Sequence, residues 1–107
     1  MNPKLVEEVN TLHANVCAAL ADPTRILILY LLHENKQNVT SLVDSLALPQ
    51  PTVSRHLKVL KERGVVFAQR DGQSVIYELT DTRVIEALDL LRGMLADRLT
   101  SQAKLIG

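Results

Sequence analysis

Residues 65–79 interrupt a chain otherwise patterned for helices. Val65-Val66-Phe67-Ala68-Gln69-Arg70 and Ser74-Val75-Ile76-Tyr77-Glu78-Leu79 are rich in β-branched and aromatic residues, the composition of strands. Asp71-Gly72 lies between them and signals a tight hairpin. Whatever the chain folds into, it carries one small hairpin late in the sequence.

The rest reads as helix. Leu5, Val9, Leu12, Val16 and Leu20 recur at spacings of four and three, which predicts a first helix over residues 3–20. Asp22-Pro23 breaks it and opens a second, with Asp22 as N-cap and Pro23 in the first turn. That second helix is apolar nearly all round and should be central, ending near Glu34-Asn35. Thr40 or Ser41 is expected to cap a short third helix through Ala47, with Leu42, Val43 and Leu46 inward. After Leu48-Pro49-Gln50 a fourth runs from about Pro51 to Arg63 and stops at Gly64, a residue suited to a helix C-terminus. Its inward stripe is Val53, Leu57 and Leu60. Thr80 or Asp81 caps a last helix over residues 82–100. The expected fold is mainly α with a small β-hairpin, in the order ααααββα, within a single domain spanning residues 1–107.

The composition suits such a domain. Of 107 residues 47% are hydrophobic and only three are aromatic, so the core must be aliphatic. Net charge is zero, but residues 52–73 hold five cations (Arg55, Lys58, Lys61, Arg63, Arg70) against Glu62 and Asp71. One basic stretch in a neutral protein can occupy a single face, either as a nucleic-acid footprint or as a solvated helix surface. The single cysteine, Cys17, excludes an intramolecular disulfide framework. No apolar run reaches the length of a membrane span, and the N-terminus does not read as a signal peptide, so a cytoplasmic protein without membrane contact is expected. No phosphate loop, nucleophile–base arrangement or metal cluster points to an enzyme.

Two short helices joined by a tight turn and followed by a hairpin make a winged helix-turn-helix. The second helix of such a pair enters the major groove of double-stranded DNA. Its outward face here offers Thr52, Ser54, Arg55 and Lys58, with Gln50 at its start. Gln pairs bidentately with adenine, Arg with guanine, and Ser or Thr serves base or phosphate. His56 lies near the buried side, where it either packs or meets the DNA backbone. Arg70 and Gln73 flank the hairpin tip and suit a wing that touches backbone or minor groove.

Three segments resemble the ArsR/SmtB family of repressors. These are Ala18-Ala19-Leu20-Ala21-Asp22-Pro23-Thr24-Arg25-Ile26-Leu27-Ile28-Leu29, then Leu48-Pro49-Gln50-Pro51-Thr52-Val53-Ser54-Arg55-His56-Leu57-Lys58-Val59-Leu60, then Gly64-Val65-Val66 with Asp71-Gly72 and Tyr77-Glu78-Leu79-Thr80. The resemblance implies a dimeric repressor that leaves an inverted-repeat operator when an inducer binds, with Gln50, Thr52, Ser54 and Arg55 at base-reading positions. Pro49 departs from the family's usual Ser and removes a side-chain cap.

The resemblance also implies where inducers would act. The family's thiol pair would fall in Ser41-Leu42-Val43-Asp44-Ser45-Leu46, which has no cysteine. Its Asp-x-His site would fall at Asp81-Thr82-Arg83, which has no histidine, and a dithiol switch needs a second cysteine. His13 and Cys17, one turn apart, are the remaining metal candidates, and Cys17 is expected instead to pack as a small hydrophobe. No cofactor is expected and the inducer is not identified. The long stripe Val84, Leu88, Leu91, Leu95 and Leu99, beside Leu5, Val9 and Leu12, is expected to form the homodimer interface through the first and last helices. The competing reading is a DNA-binding or protein-interaction winged helix without an inducer.

Overall fold

The computed structural model describes the backbone of residues 1–106 and the side chains of residues 1–103; Gly107 lies outside the described residues. The elements follow the expected order: α1 (Pro3–Leu20), α2 (Pro23–Glu34), α3 (Val39–Leu46), α4 (Gln50–Glu62), β1 (Val66–Asp71), β2 (Ser74–Leu79) and α5 (Arg83–Ile106). Among the described residues no single helix is long and apolar enough to cross a membrane.

The buried residues form one aliphatic cluster. Ile28, Leu29 and Leu32 of α2 sit at its centre, with Leu42 from α3, Val53, Leu57 and Leu60 from α4, Val66 from β1, and Ile85 and Leu88 from α5. A nearly all-apolar helix is stable only when surrounded, and α2 is surrounded as its sequence requires. Asp22 starts it: Oδ1 accepts from the backbone N–H of Thr24 (2.8 Å) and Arg25 (3.2 Å). Burial opposes ionisation of this carboxyl. The two backbone donors, helped by the positive charge of Arg25 and the nearby His56 ring, outweigh burial and hold it below its usual value.

Three local details depart from the expectations. α1 is α-helical over Pro3–Leu12, π-helical over His13–Cys17 and α-helical again over Ala18–Leu20. A π-turn accommodates an extra residue and rotates the face that follows. Ala19 is therefore buried, whereas Cys17, expected to pack, is exposed. The cap of α3 is Asn38, whose Oδ1 accepts from Ser41 N–H at 2.9 Å, so the helix starts before Thr40 and Ser41. The hairpin turn is centred on Gly72-Gln73, because Asp71 pairs with Ser74. Gly72 has a φ of 63° while Gln73 has no positive φ, the pattern of a type II′ turn with Gly at its first central position. Gln37 and Tyr77 exchange two backbone bonds (3.2 and 2.9 Å), which ties the segment before α3 to the hairpin.

α5 is anchored only at its start. Ile85 and Leu88 enter the core, and the Tyr30 hydroxyl donates to Asp89 at 2.6 Å while the Arg92 guanidinium lies 5.1 Å over the Tyr30 ring. Burial and the Asp89 carboxylate raise the Tyr30 pKa. Beyond this point every described side chain is exposed, as are residues 1–14 of α1 and its approach. The radius of gyration, 16.6 Å, exceeds the roughly 13 Å of a compact chain of this length because these two helices project.

Two outcomes follow. Ala47 ends α3 with φ 55° and ψ 41°, a left-handed conformation costly for any residue with a Cβ. Ala47→Gly is expected to stabilise the protein by about 1 kcal/mol, less glycine's entropy cost, read as a higher urea midpoint at unchanged slope. A carboxyl with a depressed folded pKa stabilises above its unfolded pKa of about 3.9, and the benefit disappears as pH falls through the folded value. Wild type should thus exceed Asp22→Asn in stability at neutral pH, and acid titration below about pH 4 should close the gap.

Candidate nucleic-acid interface

α3 and α4 are joined by Ala47-Leu48-Pro49, with Ala47 left-handed and Leu48 half-buried against the core. Pro49 stands at the N-cap without a side-chain bond. Its carbonyl accepts from Thr52 N–H (3.0 Å) and Val53 N–H (3.2 Å), and Pro51 has no N–H. The Gln50 amide is the first-turn donor left to face an anion. The other end of α4 closes with a Schellman motif: Val65 N–H donates to the Leu60 carbonyl and Gly64 N–H to that of Lys61, both at 3.0 Å, with Gly64 at φ 76°. Leu60 and Val65 are both buried, so the motif carries its usual apolar contact and aims β1 away from α4.

Val53, Leu57 and Leu60 fix one face of α4 in the core, as their spacing predicted. Helical geometry then sends Arg55, Lys58 and Glu62 outward, and all three are exposed. Gln50 and Ser54 lie on one flank, Nε2 to Oγ 3.5 Å, and half-buried Thr52 lies on the other. Lys58 approaches Glu62 at 4.0 Å across two exposed side chains, a pair of little energetic weight that a phosphate can replace. The result is a ridge with a fork-shaped cation, a point-charge cation, an amide and two hydroxyls along about two turns, the donor set that base edges and phosphates accept.

The hairpin supplies less. Register places Arg70 on the same face as Ala68, Val75 and Tyr77, and Gln73 in the turn; both Arg70 and Gln73 are exposed. Asp71 sits beside the tip and offsets part of the Arg70 charge. His56 does not join the ridge. It is half-buried and turned inward, with Nδ1 3.4 Å from Nη1 of Arg25. A guanidinium only donates, so His56 accepts through Nδ1 in the Nε2-protonated form. Of the two roles read for His56, the hydrogen bond within the chain is the one this structure displays. Sequence reasoning missed the role of Arg25; the available signal was an arginine three residues past a capping aspartate that itself follows a helix end.

The proposed inducer positions also acquire geometry. His13 and Cys17 bracket the π-turn, both exposed, and among the described residues no three His, Cys, Asp or Glu side chains converge to hold a metal. At the start of α5 the Asp81 carboxylate accepts from Arg83 Nε and Nη2 (3.1 and 2.7 Å) and from Arg83 N–H (2.9 Å). These bonds lower the Asp81 pKa to about 2.

A family model described as bacterial regulatory protein, arsR family, matches residues 22–67, from the Asp22 cap into β1. The HTH-type transcriptional regulator MJ1325 of Methanocaldococcus jannaschii is 43% identical over 79 residues, which cover 73% of this chain and 89% of that protein. The chain belongs to the ArsR family. Another relative, the HTH-type transcriptional repressor SmtB of Mycobacterium tuberculosis, is 52% identical over 63 residues, 59% of this chain and 47% of that repressor. Among solved structures, the homodimeric winged helix-turn-helix DNA-binding domain Mb0332 of Mycobacterium bovis superposes with a TM-score of 0.79 at 25% identity, covering 92% of this chain and 91% of that one. The protein is accordingly a winged helix-turn-helix, DNA-binding transcriptional regulator of the ArsR repressor type, with α3 and α4 as its helix-turn-helix and the β1–β2 hairpin as its wing.

For this ArsR-family chain, Arg55→Ala is expected to relax preference at one base pair per half-site and to cost about 1–3 kcal/mol. Lys58→Ala should weaken binding to all sequences alike and lower the salt slope by about one unit. Titrations of selected and scrambled duplexes at several salt concentrations separate the two effects.

Proposed function

We propose that the chain acts as a homodimer that represses transcription from an inverted-repeat operator in the cytoplasm and is released by an inducer still to be identified. The observation that carries this reading is the pairing of two features on one molecule: a cationic, donor-rich α4 ridge and a large uncovered apolar surface on α1 and α5. Leu5, Val9 and Leu12 on α1 and Leu91, Leu95 and Leu99 on α5 are each about half exposed, and Val6, Leu90 and Met94 extend the surface. A monomer rarely keeps so many large apolar side chains in water along two helices. Two-fold pairing of α1 and α5 would cover it and set two α4 helices side by side, which is what an inverted repeat requires.

The interface assignment changes in one respect. Leu88 is only 6% exposed and belongs to the core of its own chain, and Val84 is half-buried against that core. The stripe Val84, Leu88, Leu91, Leu95, Leu99 therefore serves two cores in succession: its first turns pack inward, and its later turns await the partner. Leu90, at 76% exposed, and Met94 join the interface on an adjoining face. The activity is binding, and no step of it asks for catalysis or a cofactor.

Leu95→Glu or Leu91→Glu is expected to leave α-helix content intact, to give monomers in sedimentation at micromolar concentration, and to abolish tight binding to a two-half-site duplex. A wild-type chain that sediments as a monomer at that concentration contradicts the proposal.

A further inference from the structure

Arg25 joins three elements. Its Nε donates to the Ala19 carbonyl at 2.8 Å, Nη2 to the Ala18 carbonyl at 3.2 Å, and Nη1 to His56 Nδ1 at 3.4 Å. The first two acceptors are at the C-terminal end of α1, where helix carbonyls carry partial negative charge; that of Ala18 also accepts from the Ala21 N–H at 3.3 Å. The third is on α4. Arg25 itself is held in the first turn of α2, its own N–H bonded to Asp22 at 3.2 Å. One rigid fork thus spans the helix that carries half of the uncovered apolar surface, the central helix, and the helix with the cationic ridge.

The rest of the α4 attachment is apolar. Val53, Leu57 and Leu60 hold it by contacts that have no direction. Among the described residues, the Arg25–His56 bond is the one side-chain hydrogen bond from α4 to another element. A directional bond on one flank of an otherwise greased helix fixes its rotation and its distance from α1.

We propose that Arg25 is a positioning residue for operator binding: by clamping the Ala18 and Ala19 carbonyls and His56 together, it sets the separation and relative rotation of the two α4 helices in the dimer, and hence the spacing of the half-sites the protein accepts. The proposal rests on the reading of α4 as the groove-reading helix and of α1 as part of the dimer contact. It assigns His56 a role through Arg25 and not through DNA.

The test uses the full-length protein and a randomised duplex library, from which wild type selects its inverted repeat. The spacer of the selected duplex is then changed one base pair at a time, each step rotating one half-site by about 35° relative to the other. Wild type is expected to show a sharp optimum. Arg25→Gln and His56→Leu should lower affinity at that optimum about tenfold, the size of a lost hydrogen bond to a charged group, and should flatten the spacer profile. His56→Asn, whose amide oxygen stands near the lost Nδ1, should retain the wild-type profile. Base preference within each half-site should be the same in all four proteins. If Arg25→Gln does not fold, the two His56 variants decide. Folded, dimeric Arg25→Gln and His56→Leu proteins that keep the wild-type spacer profile overturn the proposal, as does a change of base preference in His56→Leu. Failure of the underlying reading looks different: wild type then selects no inverted repeat, or Lys58→Ala binds the selected duplex as wild type does.

Discussion

The apolar surface of α1 and α5 that one chain cannot cover governs the rest of this molecule. None of residues 1–14 or 89–103 is buried, although they include Leu5, Val6, Val9, Leu12, Leu90, Leu91, Met94, Leu95 and Leu99. Full burial of each such side chain is worth about 1.5–3 kcal/mol, so their combined exposure rivals the whole stability of a small domain. The chain's own core ends at Leu88, and the Tyr30–Asp89–Arg92 group marks where α5 leaves the body. From there the helix presents only uncovered side chains among the described residues. In the proposed homodimer, pairing continues the burial that folding began, and the α4 ridge takes its two-fold arrangement from it.

Between that surface and the ridge lies a junction of local hydrogen bonds. Asp22 caps α2, Arg25 caps the end of α1 and reaches α4, and the Schellman motif at Leu60–Val65 sends the chain from α4 into the wing. These are short-range devices with directional geometry, and they convert an aliphatic core without much orientational preference into a scaffold with defined angles. Pro49 and Pro51 add stiffness to the helix-turn-helix but remove donors from the start of α4. An anion at that terminus would meet the Gln50 amide and side chains.

Much of this was legible in the sequence because the signals were periodic or local. The 53, 57, 60 spacing of α4, the Asp22-Pro23 start, Gly64 as terminator and the two strands each needed only nearby residues, and each lies as expected. The cap of α3 was misplaced because Asn38, Thr40 and Ser41 are all capping types, and only geometry selects Asn38. The π-turn at His13–Cys17 has no compositional signature, so the exposure of Cys17 could not be read from a regular helix. The burial of Leu88 beside the exposure of Leu91, Leu95 and Leu99, the inward turn of His56 and the single-residue pairing of Gln37 with Tyr77 are tertiary facts. A helical wheel shows that a face is apolar but not which neighbour will cover it.

The central claim is that two α4 helices read DNA together because α1 and α5 pair the chains. Hydroxyl-radical footprinting of the wild-type protein on its selected duplex tests it most directly. The account predicts two symmetric protected regions on one face of the helix, centred about one helical turn or a multiple of it apart, both lost together in Leu95→Glu. A single protected region, or two that survive intact in a monomeric Leu95→Glu protein, would contradict it.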